Sequence, residues 1–422
     1  MLIFADCLTG GKTRVSHKII VIGGGAAGYF AAINCAQANK EAEVFLFEKA
    51  TKVLQKVKVS GGGRCNLTHA CFDIKQLSLA YPRGERQLKS AFVRFSPKDT
   101  IEWFESRKVK LKTEDDGRIF PNSDNSQTII DCLEKTAKKL KVKVELGNGV
   151  KKIIPNFHGS FELILDSGDK ISCQKVIVAC GGSHNEDVMT WMKELGHRIE
   201  DPVPSLFTFN IPGNPLADLT GIAINPARVR ILNTKLECSG PVMITHWGLS
   251  GPAILKTSSL GARILAEKEY NFDVQISWLD NKREDSVRQE LFNLKAANPN
   301  KNIGNLFPFN LPRRLNSFLL KKAGINEQGN WAEISKEGIN DIINCLLYDT
   351  YKVKGKTAFK EEFVTCGGIH LDDVDFKNME SKRIKGLYFA GEILDIDGIT
   401  GGYNFQAAWT TGFIAGKAAS IH

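Results

Sequence analysis

Lys18 to Ala36 reads KIIVIGGGAAGYFAAINCA. Four β-favouring apolar residues, Ile19 to Ile22, run straight into Gly23, Gly24 and Gly25, and an alanine-rich segment with helical spacing follows. The order is strand, tight turn, helix. Gly23, Gly25 and Gly28 match G-x-G-x-x-G, in which the first glycine permits the turn, the second lets a pyrophosphate approach the backbone, and the third lets helix and strand pack closely. The N–H groups that open the helix are then available to phosphate. The same glycines would also suit a turn that binds nothing. Glu48 weighs against that plainer reading. It ends a second apolar run, Val44 to Phe47, twenty residues beyond Gly28, where a carboxylate can accept hydrogen bonds from an adenosine ribose.

A chain of 422 residues is too long for one ordinary domain, so two or three are expected. Its 42% hydrophobic and 24% charged residues are those of a globular protein and exclude disorder on a large scale. The uncharged window from Ile19 to Asn39 has the length of a membrane helix, but three successive glycines would break it, so no membrane span is expected. Residues 1–17 carry no signal-peptide core, because Asp6 interrupts the apolar start; they read as an N-terminal extension. Ten cysteines without a C-x-x-C pair read as reduced thiols of a cytoplasmic protein. The net charge of +9 is uneven: Arg83 to Lys112 holds nine basic residues against four acids. That strip reads either as a solvated face or as a contact for an anion or nucleic acid.

Downstream of Glu48, SGGGRCNLTHA at Ser60 to Ala70 forms a second loop of backbone donors, suited to a phosphate or a flavin edge, with Arg64 able to pair with an anion. Phe92 to Lys108 and Thr128 to Leu140 have helical spacing. Val142 to Leu146, Val150 to Ile154, a hairpin around Asp166-Ser-Gly-Asp169, and the buried run Lys175 to Gly182 read as strands. From Pro202 to about Ser277 short apolar runs alternate with Pro and Gly, which reads as a β-rich unit. Ser286 to Tyr348 turns helical. Near the C-terminus, Leu387 to Ala390 reads as a strand, followed by an acidic glycine-rich turn and a helix starting near Gly402. There Ala408, Gly412 and Gly416 give a flat face for close packing.

The segments GGGAAG, SGGGRCNLT, EDDGRIFP, THWGLSGPA, TCGGI and GLYFAGEILDIDGITGGYNFQAAW closely resemble the BaiN/YhiN-type NAD(P)/FAD-dependent oxidoreductases, also called aminoacetone-oxidase-like flavoproteins. The resemblance runs from Lys18 to the C-terminus. It implies an α/β fold: a glutathione-reductase-type FAD-binding Rossmann domain with an inserted β-barrel plus helical domain. The expected segments are 1–17 as extension, 18–194 and 356–422 as the two parts of the FAD domain, and 195–355 as the insertion. Non-covalent FAD is the implied cofactor and NAD(P)H a transient electron donor. Carried over by position, Gly23, Gly25, Ala27 and Gly28 face the pyrophosphate, Glu48 and Lys49 the ribose and adenosine side, and Val150 the adenine. Arg64, Cys65 and Asn66 lie on the flavin side, while Gly391, Glu392, Gly402, Tyr403 and Asn404 hold the ribityl chain and isoalloxazine. His69 departs from the family pattern, where asparagine is expected.

Cys65 has no second thiol nearby for disulfide exchange, so it reads as a packing residue of the flavin site rather than a redox centre. His246, among Gly and Ser in the insertion, reads either as a proton donor to a reduced substrate or as a hydrogen-bonded structural residue. Asp395 and Asp397 read as polar anchors of a flavin loop. No second G-x-G-x-x-G occurs, so no dedicated nicotinamide domain is expected. The first functional reading is reduction of an activated C=C bond, in a small enone or in a uracil ring of RNA, by hydride passing from NAD(P)H through flavin. An amine or aminoketone oxidase using oxygen, and an RNA-binding flavoprotein relying on the basic strip 83–112, are the alternatives.

Overall fold

The apolar runs at 19–22, 44–47 and 176–178 lie side by side at the centre of a seven-stranded sheet. The computed structural model describes residues 17–156, 159–182, 186–355 and 364–421. The expected extension therefore lies outside the described residues except for His17, as does the expected start of the last segment at 356–363. Strand Lys18–Ile22 pairs in parallel with Glu43–Glu48 on one side and Lys175–Val178 on the other. Lys143–Leu146 and Leu387–Phe389 extend the parallel set outward, and two short antiparallel strands, Glu380–Ser381 and Val374–Asp375, finish one edge. Parallel strands need both faces covered, which is why the central strands are continuous apolar runs rather than alternating ones. One buried cluster takes residues from Ile19 to Met192 and again from Ile369 to Ala419, so the two ends of the chain share a core. This is the Rossmann-type α/β unit expected from the sequence.

Between these ends lies a second core, from Phe207 to Val353. Its sheet is antiparallel, in the order Phe209–Asn210, Gly248–Ser250, Glu237–Thr245, Ala223–Ile231, Asn271–Ser277, Asp349–Lys354. The two edge strands meet where the Asn210 side-chain amide donates to the Lys354 carbonyl at 3.2 Å, so the sheet is rolled into a partly closed barrel. Helices Glu284–Ala297, Arg313–Lys322 and Lys336–Leu347 complete this unit. Two antiparallel strands, Ile199–Ser205 and Val364–Ile369, join it to the Rossmann unit.

The helical span expected over Phe92 to Lys108 is instead two helices, Glu85–Phe92 and Pro97–Glu105. Ser96 and Asp99 form a reciprocal capping box, with the Ser96 N–H donating to the Asp99 carboxylate at 2.7 Å, and Pro97 opens the second helix. A Ser-Pro start signal outweighs the continuous apolar spacing around it. Among the described residues no helix is long and apolar enough to cross a membrane.

Candidate cofactor and active site

The three fingerprint glycines do three separate things. Gly23 has φ +110°, and a Cβ there would sit 2.4 Å from the Ala179 carbonyl oxygen, so the turn passes hard against the neighbouring strand end. A Cβ on Gly28 would fall 1.9 Å from the Gly23 carbonyl oxygen, so the helix lies directly on the turn. At Gly25 the corresponding space has no atom within 4 Å. Helix Ala26–Ala38 begins there with no side-chain cap and no acidic residue in its first turn. Its leading N–H groups and positive dipole end are left for an anion.

Glu48 is drawn to this turn. One carboxylate oxygen accepts from the Gly24 N–H at 2.7 Å, and the other from the Ala50 N–H at 2.8 Å. Lys49 follows it, beside Gly149, whose absent Cβ would lie 2.7 Å from that of Lys49. Val150, next in chain, is buried at the start of strand Val150–Pro155. The structure thus brings Glu48, Lys49 and Val150 to one end of the sheet, beside the glycine turn. Glu48→Ala should weaken FAD binding by about 1 to 3 kcal/mol, the usual cost of leaving buried hydrogen-bond partners unmatched. Flavin titration by fluorescence checks it, and an unchanged dissociation constant would remove Glu48 from the site.

The second glycine loop is left-handed throughout, with φ of +57°, +69° and +84° at Gly61, Gly62 and Gly63. Open space surrounds the would-be Cβ positions of Gly62 and Gly63, so the loop presents bare backbone. Arg64 is engaged elsewhere: its guanidinium donates to Glu114 at 2.6 Å, lies 3.6 Å from Asp124, and covers the Phe120 ring at 4.0 Å. Cys65 is fully buried, which pushes its thiol up to about 12 and keeps it protonated. A protonated, buried thiol is a poor nucleophile. Asn66 accepts from the Gly402 N–H at 3.0 Å and donates to the Thr68 carbonyl at 3.2 Å, which ties this loop to the far end of the chain.

There, Gly391 packs on the first helix, its would-be Cβ only 2.6 Å from that of Ala27. The Glu392 carboxylate accepts from the Thr365 N–H at 2.8 Å and from Lys56 at 2.6 Å. Gly402, at φ +92°, opens helix Tyr403–Ala419, again with no side-chain cap and no acid in the first turn. Asn404 clamps the preceding turn, accepting from the Gly398 N–H at 2.8 Å and donating to its carbonyl at 2.9 Å. Tyr403 stacks on His69 at 4.8 Å, and its carbonyl accepts from the Tyr81 hydroxyl at 2.7 Å. Burial pushes the Tyr403 phenol up to about 12, so it stays a donor, and lowers the His69 imidazole towards its neutral form.

The small-residue face of the last helix fixes the distance between the two uncapped helix starts. A Cβ on Gly412 would lie 2.7 Å from the Ala27 carbonyl oxygen, and one on Gly416 2.3 Å from that of Ala31. The two helices therefore run parallel in close contact, with Gly412 level with Ala27. At 1.5 Å per residue, the start of the last helix projects roughly 12 Å beyond the start of the first. That separation is of the order of a ribityl chain plus the pyrimidine edge of a flavin. FAD fits these residues on three counts: the bare space at Gly25, the bare loop at Gly62 and Gly63, and two uncapped helix starts at this spacing.

Two expectations look different in the folded chain. His246 stands on the exposed turn between strands Glu237–Thr245 and Gly248–Ser250, and its ring contact is with Trp247 at 4.0 Å. That contact stays within the turn and involves neither the glycine loops at 23–25 and 61–63 nor the turn at 398–402. The basic strip is not one face: Arg83 is half-buried and paired with the buried Asp397, Arg107 lies over the Trp103 ring at 3.7 Å, and Lys112 pairs with Asp124. Arg86, Lys89, Arg94, Lys98, Lys108 and Lys110 remain exposed. The partners of Asp395 and Asp397 were invisible in the sequence, because Arg263 and Arg83 are brought to them only by the fold.

Residues 17–418 match the model of the HI0933-like protein Rossmann domain. The chain is 28% identical over 412 residues to the 3-dehydro-bile acid delta(4,6)-reductase of Clostridium scindens, covering 96% of this chain and 99% of that one. It is 27% identical over 413 residues to the ribosomal RNA dihydrouridine synthase of Haemophilus influenzae, covering 95% and 98% respectively. Among solved structures, the 3-ketosteroid delta1-dehydrogenase of Sterolibacterium denitrificans superposes with a TM-score of 0.53 at 12% identity, over 96% of this chain and 100% of that one. At that identity the likeness is one of fold.

Proposed function

This chain belongs to the HI0933-like, FAD-dependent Rossmann family of BaiN/YhiN type, and from that premise we propose that it reduces an activated C=C bond with electrons from NAD(P)H. The observation that carries the reading is the pair of parallel, uncapped helix starts locked at fixed spacing by Gly412 and Gly416. Non-covalent FAD held across them would supply hydride transfer from a reduced nicotinamide to the β-carbon of a polarised double bond, with the α-carbon taking up a proton from water. The Gly25 turn and the start of the first helix hold the pyrophosphate, with Ala27 and Gly28 shaping the approach. Glu48 and Lys49 hold the ribose side, and Val150 borders the adenine. Gly391 and Glu392 take the ribityl chain, and Asn66, Gly402, Tyr403 and Asn404 the flavin edge.

The N–H groups at the start of the last helix meet the negative charge that develops at this edge. Tyr403 adds a phenol that keeps its proton up to about pH 12. These donors replace His246 as the groups assigned to stabilise charge. His246→Ala should leave both half-reactions within about twofold; a tenfold slower reoxidation, about 1.4 kcal/mol, would restore His246 to the site.

The acceptor class is an enone or its vinylogous equivalent. A relative named for bile acid delta(4,6) reduction and relatives named for dihydrouridine synthesis share that chemistry, since both act on a C=C conjugated to a carbonyl. A small enone is the first expectation for this chain, with a uracil ring in RNA second. The exposed cations from Arg86 to Lys110 are the surface an RNA acceptor would use. Protein reduced anaerobically with NAD(P)H and mixed with steroid enones or uridine-containing RNA should be reoxidised in a single turnover. Reoxidation by oxygen alone across that panel would overturn the reading in favour of an oxidase.

A further inference from the structure

The turn that leads into the last helix carries two carboxylates, Asp395 and Asp397, and each is held by an arginine from a different part of the chain. Asp397 is fully buried. Arg83, from the segment between the helices Ile74–Ser78 and Glu85–Phe92, meets it fork to fork and donates a further bond to the Ser259 carbonyl at 2.8 Å. The Ser205 hydroxyl donates to Asp397 at 2.6 Å, and the Ser259 hydroxyl lies 3.4 Å from the same oxygen. Asp395 accepts from Arg263 at 3.1 Å, and Arg263 also faces Glu200 at 3.6 Å. Ser259 and Arg263 stand on consecutive helices of the inserted unit, Pro252–Leu260 and Ala262–Glu267. Glu200 and Ser205 stand on one of the two joining strands.

The same turn is fixed on its other side to the Rossmann unit. The Ile399 N–H donates to the Ala80 carbonyl at 2.9 Å, Asn404 clamps Gly398, and Gly402 reaches Asn66. Only four residues separate Asp397 from Gly402. A displacement of the inserted helices is therefore transmitted to the flavin edge through a short, doubly anchored segment. Buried ion pairs add little net stability compared with apolar packing, but the planar fork-to-fork geometry of Arg83 with Asp397 is satisfied at one relative position only, and the single Arg263–Asp395 bond adds a second attachment to the inserted helices.

We propose that the Asp395–Arg263 pair, and the Asp397–Arg83 pair through the bonds both residues make to Ser259, are two clasps that hold the inserted unit in register over the turn at 398–402. These four are positioning residues for the half-reaction in which the acceptor is reduced. The inference rests on the functional reading above and adds to it that the acceptor enters between the two units.

The half-exposed clasp is the one to cut, since Arg263 is 36% exposed and its loss leaves the core intact. In Arg263→Gln, FAD affinity and the rate of flavin reduction by NAD(P)H should stay within about twofold. The acceptor concentration for half-maximal reoxidation should rise about tenfold, with the limiting rate changed less than threefold. Arg263→Lys, which keeps the charge, should recover most of the loss. In the FAD-loaded variants, amide hydrogen exchange should quicken at both 252–267 and 398–402. Equal loss in both half-reactions together with loss of FAD, or exchange unchanged at 398–402, overturns the clasp. If no acceptor reoxidises the unaltered protein, the exchange measurement still decides the clasp and the functional reading falls alone.

Discussion

Gly28→Ala is expected to destabilise the FAD-free protein by about 3 kcal/mol or more, the upper part of the range for overpacking a tight contact. The methyl group would stand 1.9 Å from the Gly23 carbonyl oxygen, a backbone atom held in turn by the Gly23 N–H bond to Phe47. No rotamer can relieve the clash, so the helix must lift from the strand. That lift also disturbs the contacts of Gly412 and Gly416 with the same helix, and with them the spacing of the two helix starts. Urea unfolding of the FAD-free protein measures the effect. A midpoint equal to that of the unaltered chain would show that the helix does not rest on the turn as described.

Gly25→Val is expected to do the opposite: leave the FAD-free fold unchanged and abolish useful cofactor binding. Its φ of -85° is open to any residue, and the added side chain starts in a space with no atom within 4 Å. In the proposed binding mode the diphosphate approaches the helix start through the same space. Flavin affinity should fall at least about 100-fold, roughly 2.7 kcal/mol, while the urea midpoint of the FAD-free form stays the same. An unchanged flavin dissociation constant would move the phosphate site away from this turn. Together the two substitutions separate a glycine kept for packing from one kept for a ligand, which a glycine motif alone cannot do.

The exposed and paired cations teach a related lesson. Arg83 and Lys89 look alike in the chain, both within one basic stretch. In the fold one is clamped to a fully buried carboxylate and the other faces solvent, because Asp397 arrives from the far end of the sequence. The helix break at Ser96 was readable, since a Ser-Pro pair followed by Asp99 is a local start signal. The apolar spacing that the two successive helices share masks it.

By itself the sequence determined what is local. Ile19 to Ile22 and the glycines after them dictate a strand, a turn and a helix with a free N-terminus, because each step depends on residues within a few positions. Ala408, Gly412 and Gly416 likewise announce a face meant for close approach, without naming what approaches. Only the tertiary structure decided that this face meets the first helix at Ala27 and Ala31. It also decided that Asn66 meets Gly402, that Arg83 and Arg263 hold the turn at 395–397, and that His246 stands apart on a hairpin. These pairings join residues 66 and 402, or 83 and 397, whose proximity follows from chain closure and packing of two cores. Periodicity and turn chemistry hold no information over such separations; burial of shared apolar surface does.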